Sequence, residues 1–410
     1  MIVIIRNARV LMTLPGPGAL RGAAMNDWPL LERGDVLIED GLVTSIGAAI
    51  PPPRGATVVE AGGRVLMPAF VDCHTHACWA GSRLDEWELG LRGVRYLEIL
   101  RQGGGIMSTV RAVRAATEAA LTESLVANIA HMARFGSATV EVKSGYGLST
   151  EDELKMLRAI RAAQSLVAPT LVPTALIGHA IDASDGSAEQ FVERTIGETL
   201  PAVHDEFPGI AIDAYCEKSA WSLDQCRRLF ERARELGHPI RVHADQFNAL
   251  GIIDLNSEWS RSAGAFRSID HLEATSVESL GTLAGTPTIG TLLPCAGFHT
   301  DRRYANGRAL IDAGGAAALA TNANPGSAPC FSMQLAIALA VRFNGLTARE
   351  AIAAATVNAA AVLGLTDRGY IAPGARADLL LLSCKDERSL AYEFGGDQID
   401  SLFIAGKRVR

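Results

Sequence analysis

From Val65 onward the chain alternates short apolar runs with amphipathic stretches, and this alternation restricts its fold more than any other feature. The apolar runs are Val65–Val71, Ala138–Val142, Leu171–Ile177, Ala211–Tyr215, Ile240–Val242, Ser268–Asp270, Thr288–Leu293 and Ala317–Ala320. Most lack polar alternation, as strands buried on both faces do. Between them, Thr150 with Glu153, Ser222 with Gln225 and Thr347 with Glu350 read as capping boxes, and Gly237 closes the helix that Ser222 opens. Strands separated by helices make a parallel sheet with crossover connections. Eight of them over residues 65–365 predict a (β/α)8 TIM-like barrel, which takes about 250 residues. A doubly wound open sheet is the alternative, but its Gly-X-Gly-X-X-Gly loop is missing.

The two ends read differently. Residues 1–64 hold short strands at Ile2–Ile5, Arg9–Met12, Asp35–Glu39, Leu42–Gly47 and Thr57–Glu60, with Asp40-Gly41 as a hairpin turn and Pro15 to Asn26 as a surface loop. Strand-type sequence returns at Gly369–Ile371, Asp378–Leu382 and Ser401–Arg408, with a turn at Ala405-Gly406. Neither end is large enough to fold alone. The expectation is therefore one composite β-sandwich domain, residues 1–64 with 366–410, beside a barrel domain of residues 65–365.

Composition excludes several functions. A net charge of −7 and no basic stripe argue against a nucleic-acid partner. Charges or turn residues interrupt every apolar stretch below membrane-spanning length, and the opening Met1–Arg6 reads as a strand rather than a leader. Seven scattered cysteines suggest reduced thiols and a cytoplasmic location. Cys73 and Cys78 read as packing residues.

In a barrel, chemistry gathers at the C-terminal strand ends. Those ends carry His74 and His76, then Lys143–Gly147, His179, Glu217, His243–Gln246, Asp270-His271 and Thr321–Ser327. Five of the nine histidines therefore fall on one face, whereas His131, His204 and His238 read as structural and His299 stays undecided. Three imidazoles with an open position suit Zn²⁺ or Fe²⁺, whose bound water is a nucleophile near neutral pH. Arg83, on the loop after the histidine pair, is suited to gripping a carboxylate. Gly103-Gly104-Gly105 reads as a hinge, or as a place where backbone approaches a ligand.

Several stretches also carry a resemblance: Asp72–His76 with Ala80–Arg83, Gly103–Ile106, Glu141–Gly147, His243–Gln246, Asp270–Glu273 and Asn324–Ser327. On these the chain resembles the amidohydrolase superfamily and, within it, the imidazolonepropionases of histidine degradation, nearly end to end. The resemblance implies a barrel flanked by a β-sandwich. It also implies hydrolysis of the cyclic amide C–N bond of 4-imidazolone-5-propanoate to N-formimidoyl-L-glutamate, with one Zn²⁺ or Fe ion. By position it implies His74, His76 and His243 as metal ligands. Arg83, Tyr146, His179 and Gln246 then become substrate contacts, with Asn324, Gly326 and Ser327 on the far wall. His271, with Gln246 beside it, matches the place of the acid/base or carbonyl polariser. A homodimer is left open.

One position departs from the family pattern. The family has Asp after the eighth strand as fourth ligand and proton acceptor, whereas this chain has Thr321-Asn322. A carboxamide offers one neutral carbonyl oxygen and no useful basicity. Three explanations stay open: another base such as His271 takes over, the chain is a paralogue with altered or lost activity, or the change was introduced to trap a ligand. A related deaminase or cyclic amidohydrolase acting on another ring is the alternative activity.

Overall fold

The computed structural model describes residues 1–14, 16–94, 98, 104–182, 184, 186–218, 220–262 and 264–410. Eight parallel strands form the barrel wall in chain order: Phe70–Asp72, Ser137–Lys143, Thr170–Gly178, Ala211–Cys216, Arg241–Ala244, Ser268–His271, Ile289–Leu292 and Ala316–Leu319. Each of the seven neighbouring pairs is bonded in parallel register. The ring closes just beyond the strand ends, where Asn322 N–H donates to His74 O at 3.1 Å and His76 N–H to Ala323 O at 2.9 Å. This closure sets the eighth strand's polar exit directly against the histidine pair.

The expected strand Val65–Val71 is in fact two. Val65–Pro68 pairs with Ile2–Leu11 and Leu379–Leu382 in the other sheet, and only Phe70–Asp72 enters the barrel. The break falls where Pro68 meets Ala69, whose N–H leaves the barrel ladder for Asp378 O. A run apolar on both faces cannot reveal which sheet each half joins.

Strands from both termini make a second eight-stranded sheet. Its order is Lys407–Arg408, Ile399–Ile404, Leu379–Leu382, Val65–Pro68, Ile2–Leu11, Leu30–Glu39, Leu42–Gly47, with Thr57–Glu60 also on Ile2–Leu11. It encloses its own core of Val3, Ile5, Val36, Ile38, Leu66, Leu379, Leu381 and Phe403. Ile2–Ile5 and Arg9–Met12 run together as one strand with irregular register, and Asn7 within it is left-handed (φ 56). The hairpin turn at Asp40-Gly41 has both residues at positive φ, as a type I′ turn needs. Gly369–Ile371 is not a strand; Ile371 instead donates its N–H to Met12 O. The Pro15–Asn26 segment, with Pro15 itself outside the described residues, is pinned rather than loose. Asn358 accepts from Leu20 N and donates to Leu20 O, and Met25 is buried.

Two of the three expected capping boxes form, at Ser222/Gln225 and Thr347/Glu350. The third does not. Ser149 caps that helix, and Glu153 turns instead into the neighbouring loop. The Ala-rich run after Thr347 is also two helices, Ala348–Ala354 and Val357–Val362, split where the Thr356 hydroxyl bonds Ile352 O. No helix among the described residues is long and apolar enough to cross a membrane.

Arg368 joins the two sheets. Its buried guanidinium donates to Thr139 and Thr170 hydroxyls on the second and third barrel strands and lies 3.4 Å from Asp378 Oδ2. Burial pushes the Asp378 carboxyl above its ordinary range, so this acid depends on its cations. Asp378 is shared with Arg376, whose Nε lies 3.0 Å from both carboxylate oxygens. Arg368→Leu is expected to cost about 3 kcal/mol in urea unfolding, because it removes one of these two cations and leaves the Thr139 and Thr170 hydroxyls without their donor. A loss under about 1 kcal/mol would show that Arg376 alone holds Asp378.

Candidate metal centre and active site

Alternate residues on a strand end share a face, so His74 and His76 both point over the barrel mouth. His243, at the end of the fifth strand, meets them: its ring lies 4.4 Å from that of His74 and 5.3 Å from that of His76. Among the described residues these three are the one group of His, Cys, Asp and Glu side chains whose ligand atoms lie within 4.8 Å of one another. His179 stacks on His76 at 5.0 Å, and His271 stands 5.6 Å from His243. The five histidines expected at one barrel face therefore converge. His204 and His238 bond each other elsewhere, at 3.0 Å.

The proton positions follow from the partners. His74 Nδ1 lies 2.7 Å from Asp270 Oδ2, and His243 Nδ1 lies 3.1 Å from Asp213 Oδ1. An ionised carboxylate only accepts, so each Nδ1 carries the proton and each Nε2 offers a lone pair. His74 Nε2 is buried with no partner, as is His76 Nδ1, and His243 Nε2 faces His76 Nε2 across 3.3 Å. Burial drives all three imidazoles well below the ordinary histidine range, so they are neutral. Two buried ring nitrogens without a partner, in a group of three converging imidazoles, are what a cation satisfies, and this donor set fits one metal ion.

Around this centre the remaining expected residues take definite places. Arg83 is held by Glu86, with Nε to Oε2 at 2.7 Å, and Glu86 also accepts Gly105 N–H at 3.0 Å. A Cβ on Gly326 would come within 3.1 Å of Arg83 Nη1, so the glycine lets the opposite loop close on the guanidinium. Gly103 lies outside the described residues. Asn324 organises that loop: its Oδ1 accepts Gly326 N–H at 2.8 Å and Ser327 N–H at 2.7 Å. His179 Nδ1–H donates to Gly145 O at 2.9 Å, leaving Nε2 unprotonated, and burial lowers this imidazole to about 4. Tyr146 packs against both His76 and His179. Tyr215 O–H donates to Gln246 Oε1 at 2.6 Å.

His271 combines a strained backbone with a carboxylate partner. It and Leu272 sit at φ 90 and φ 72, an uncommon region for side chains of this size. Its Nδ1 lies 3.1 Å from Glu273 Oε1, which leaves Nε2 as its free nitrogen. Asn322 is buried at φ 57, a conformation that Asn and Asp both tolerate, and Asn324 Nδ2 donates to its Oδ1 at 3.2 Å.

Glu141, Asp213 and Arg241 escaped the reading of strand ends, which named Lys143 and Asp270 but not their burial. Glu141, Lys143, Asp213, Arg241 and Asp270 all lie inside the barrel, buried beneath the histidines. Asp213 and Tyr215 are two apart on the fourth strand, and that period-two polar pattern in an apolar run was the available signal. Glu217, a strand-end acid, is spent on structure; it accepts the N–H groups of Lys218, Phe247 and Asn248. Glu153 likewise accepts the N–H groups of Gly145, Gly147 and Leu148 at 2.8–2.9 Å.

The chain is similar to known proteins over its whole length. Residues 65–409 match the amidohydrolase family. It is 43% identical to an imidazolonepropionase from Deinococcus radiodurans, covering 97% of each chain. It is 39% identical to one from Herpetosiphon aurantiacus, over 99% of this chain and 97% of that one. In fold it resembles 5-methylcytosine deaminase from Klebsiella pneumoniae, with TM-score 0.76 and 17% identity over 100% of this chain and 98% of the other.

Because Glu153 holds three loop amides, Glu153→Ala leaves buried donors unpaired and loosens the Tyr146 loop. The variant is expected to melt lower and to bind substrate several-fold more weakly; an unchanged melting temperature would refute the clamp.

Proposed function

The chain belongs to the amidohydrolase family, on its imidazolonepropionase branch, and we propose how its barrel hydrolyses 4-imidazolone-5-propanoate to N-formimidoyl-L-glutamate in histidine degradation. The observation that carries the reading is the trio of buried imidazoles His74, His76 and His243, whose ligand atoms lie within 4.8 Å of one another, with His74 Nε2 and His76 Nδ1 left without a partner. His74, His76 and His243 would hold the metal, zinc or iron(II), with Asn322 Oδ1 as a neutral fourth donor. When bound, such an ion polarises a carbonyl and lowers the pKa of water.

The protein's own groups then divide the work. Arg83, kept in orientation by Glu86, pairs with the propanoate carboxylate, and Asn324, Gly326 and Ser327 form the wall behind it. Tyr146 and His179 bound the ring on the other side, and Gln246, braced by Tyr215, presents its amide to the polar ring edge. Water adds to the lactam carbonyl carbon, the ring C–N bond breaks, and a proton must reach the departing nitrogen. His271 Nε2 is the group placed to carry it, because Glu273 occupies Nδ1. Asn322 cannot take the proton that the attacking water loses, so His271 has to serve both transfers. Asn322 also favours a second reading, a binding-competent paralogue with little turnover. The same proposal takes residues 65–365 as the catalytic domain, less the strand Val65–Pro68 that pairs in the terminal sheet, residues 1–64 with 366–410 as its β companion, and the cytoplasm as the location.

Purified protein loaded with one equivalent of zinc or iron(II) is expected to open the imidazolone ring and to lose that activity on chelation. Ring opening without metal would overturn the reading, and stoichiometric metal and ligand binding without turnover would favour the paralogue. Asn322→Asp, fold-neutral at this φ, is expected to raise kcat by about 10²-fold or more; an unchanged kcat would mean that no base is missing. Arg83→Ala should raise KM for the carboxylate substrate far more than for an uncharged ring analogue, and equal effects would exclude the carboxylate contact.

A further inference from the structure

The five ionisable residues under the histidines form one connected chain. Asp270 Oδ2, which receives His74 Nδ1–H, lies 2.7 Å from Arg241 Nη2. Arg241 Nη1 bonds Glu141 Oε1, and that same oxygen lies 2.8 Å from Lys143 Nζ. Lys143 Nζ is 2.7 Å from Asp213 Oδ2, and Asp213 Oδ1 receives His243 Nδ1–H. Glu141 also accepts the N–H of Thr75, the residue between the paired histidines, at 3.2 Å. No side chain of the five is more than 1% exposed.

Such a ladder is poor value as a stabilising device. Burying five charges costs several kcal/mol per ion, and apolar side chains of like volume usually hold a core as well. Its geometry points elsewhere. It begins on one ligand imidazole and ends on another, and it touches the backbone of the strand end that carries the first. Counted formally, three carboxylates against two cations leave one negative charge directly behind the imidazoles. With Asn322 contributing none, the ladder places anionic counter-charge directly on the rings of His74 and His243.

We propose that Asp270–Arg241–Glu141–Lys143–Asp213 is a positioning ladder: it fixes the Nδ1–H tautomer of His74 and His243 together and lends the metal site its negative charge. The proposal rests on the metal-site reading above. It gives Glu141 and Lys143, which no step of the hydrolysis uses, a task. Lys143 is its keystone, since the Asp213 end joins the rest through that single ammonium.

Two measurements test it. In wild-type metal-free protein, imidazole ¹⁵N NMR with site assignment should find His74 and His243 both protonated at Nδ1; Nε2–H forms at these two would overturn the proposal without any variant. Zinc affinity should then be read by competition with a chelating dye, together with the visible spectrum of the cobalt-substituted protein. Asp213→Asn and Asp270→Asn are isosteric and should each weaken zinc binding by about 10–100-fold. Lys143→Met should weaken it about 10-fold and shift the cobalt bands, whereas Lys143→Arg restores most of the affinity. Variants with wild-type circular dichroism, zinc affinity and cobalt spectrum would reduce the ladder to a structural element and overturn the proposal. Wild-type protein that takes up no metal would instead overturn the metal reading, and the tautomer spectrum would still decide the ladder.

Discussion

The open end of the barrel depends on two contacts between imidazole and carboxylate, His74 with Asp270 and His243 with Asp213. Each carboxylate decides which nitrogen of its ring keeps the proton, and so which nitrogen faces the centre. Burial opposes charge on Asp270, yet the cations Arg241 and Lys143 beside it hold its carboxyl below the ordinary range. Without that compensation the acid would neutralise, and the imidazole above it would lose its fixed tautomer. His76 has no such partner at Nδ1 and depends on its neighbours alone.

Closure of the ring supplies the second constraint. The first and eighth strands meet through backbone bonds beyond their ladders, which brings Asn322 against His74 and Ala323 against His76. The loop that follows is shaped by Asn324 and passes close over Arg83 because position 326 lacks a Cβ. His74, His76 and Arg83 are thus tied to one seam. The terminal sheet lies outside this seam, but Val65–Pro68 belongs to it and leads straight into the strand that carries His74 and His76.

Glu153, in a first helical turn, and Glu217, after a strand, show how a buried acid can mislead. Both are acids in motif-like surroundings, and both spend their oxygens on loop N–H groups. Burying a loop leaves its amides without water, and a nearby carboxylate is the strongest neutral-pH acceptor available. Spacing cannot tell an acid that serves a loop from one that serves a substrate, because the two differ only in which backbone comes near.

The amino-acid sequence by itself determined the strand–helix alternation, the hairpin at Asp40-Gly41, the convergence of five histidines and the amide at position 322. These are local: each depends on the period of apolar residues, on a turn dipeptide or on the residue type at a strand end. Tertiary structure alone decided that Val65–Val71 divides between two sheets and that Glu153 leaves its helix cap. It alone joined Glu141, Lys143, Asp213, Arg241 and Asp270 into one buried chain. Those residues come from four strands and stand up to 129 positions apart, as with Glu141 and Asp270, so no window of sequence contains the charges that neutralise one another. A buried charge is stable only beside its partner, and only the closed barrel brings the partners together.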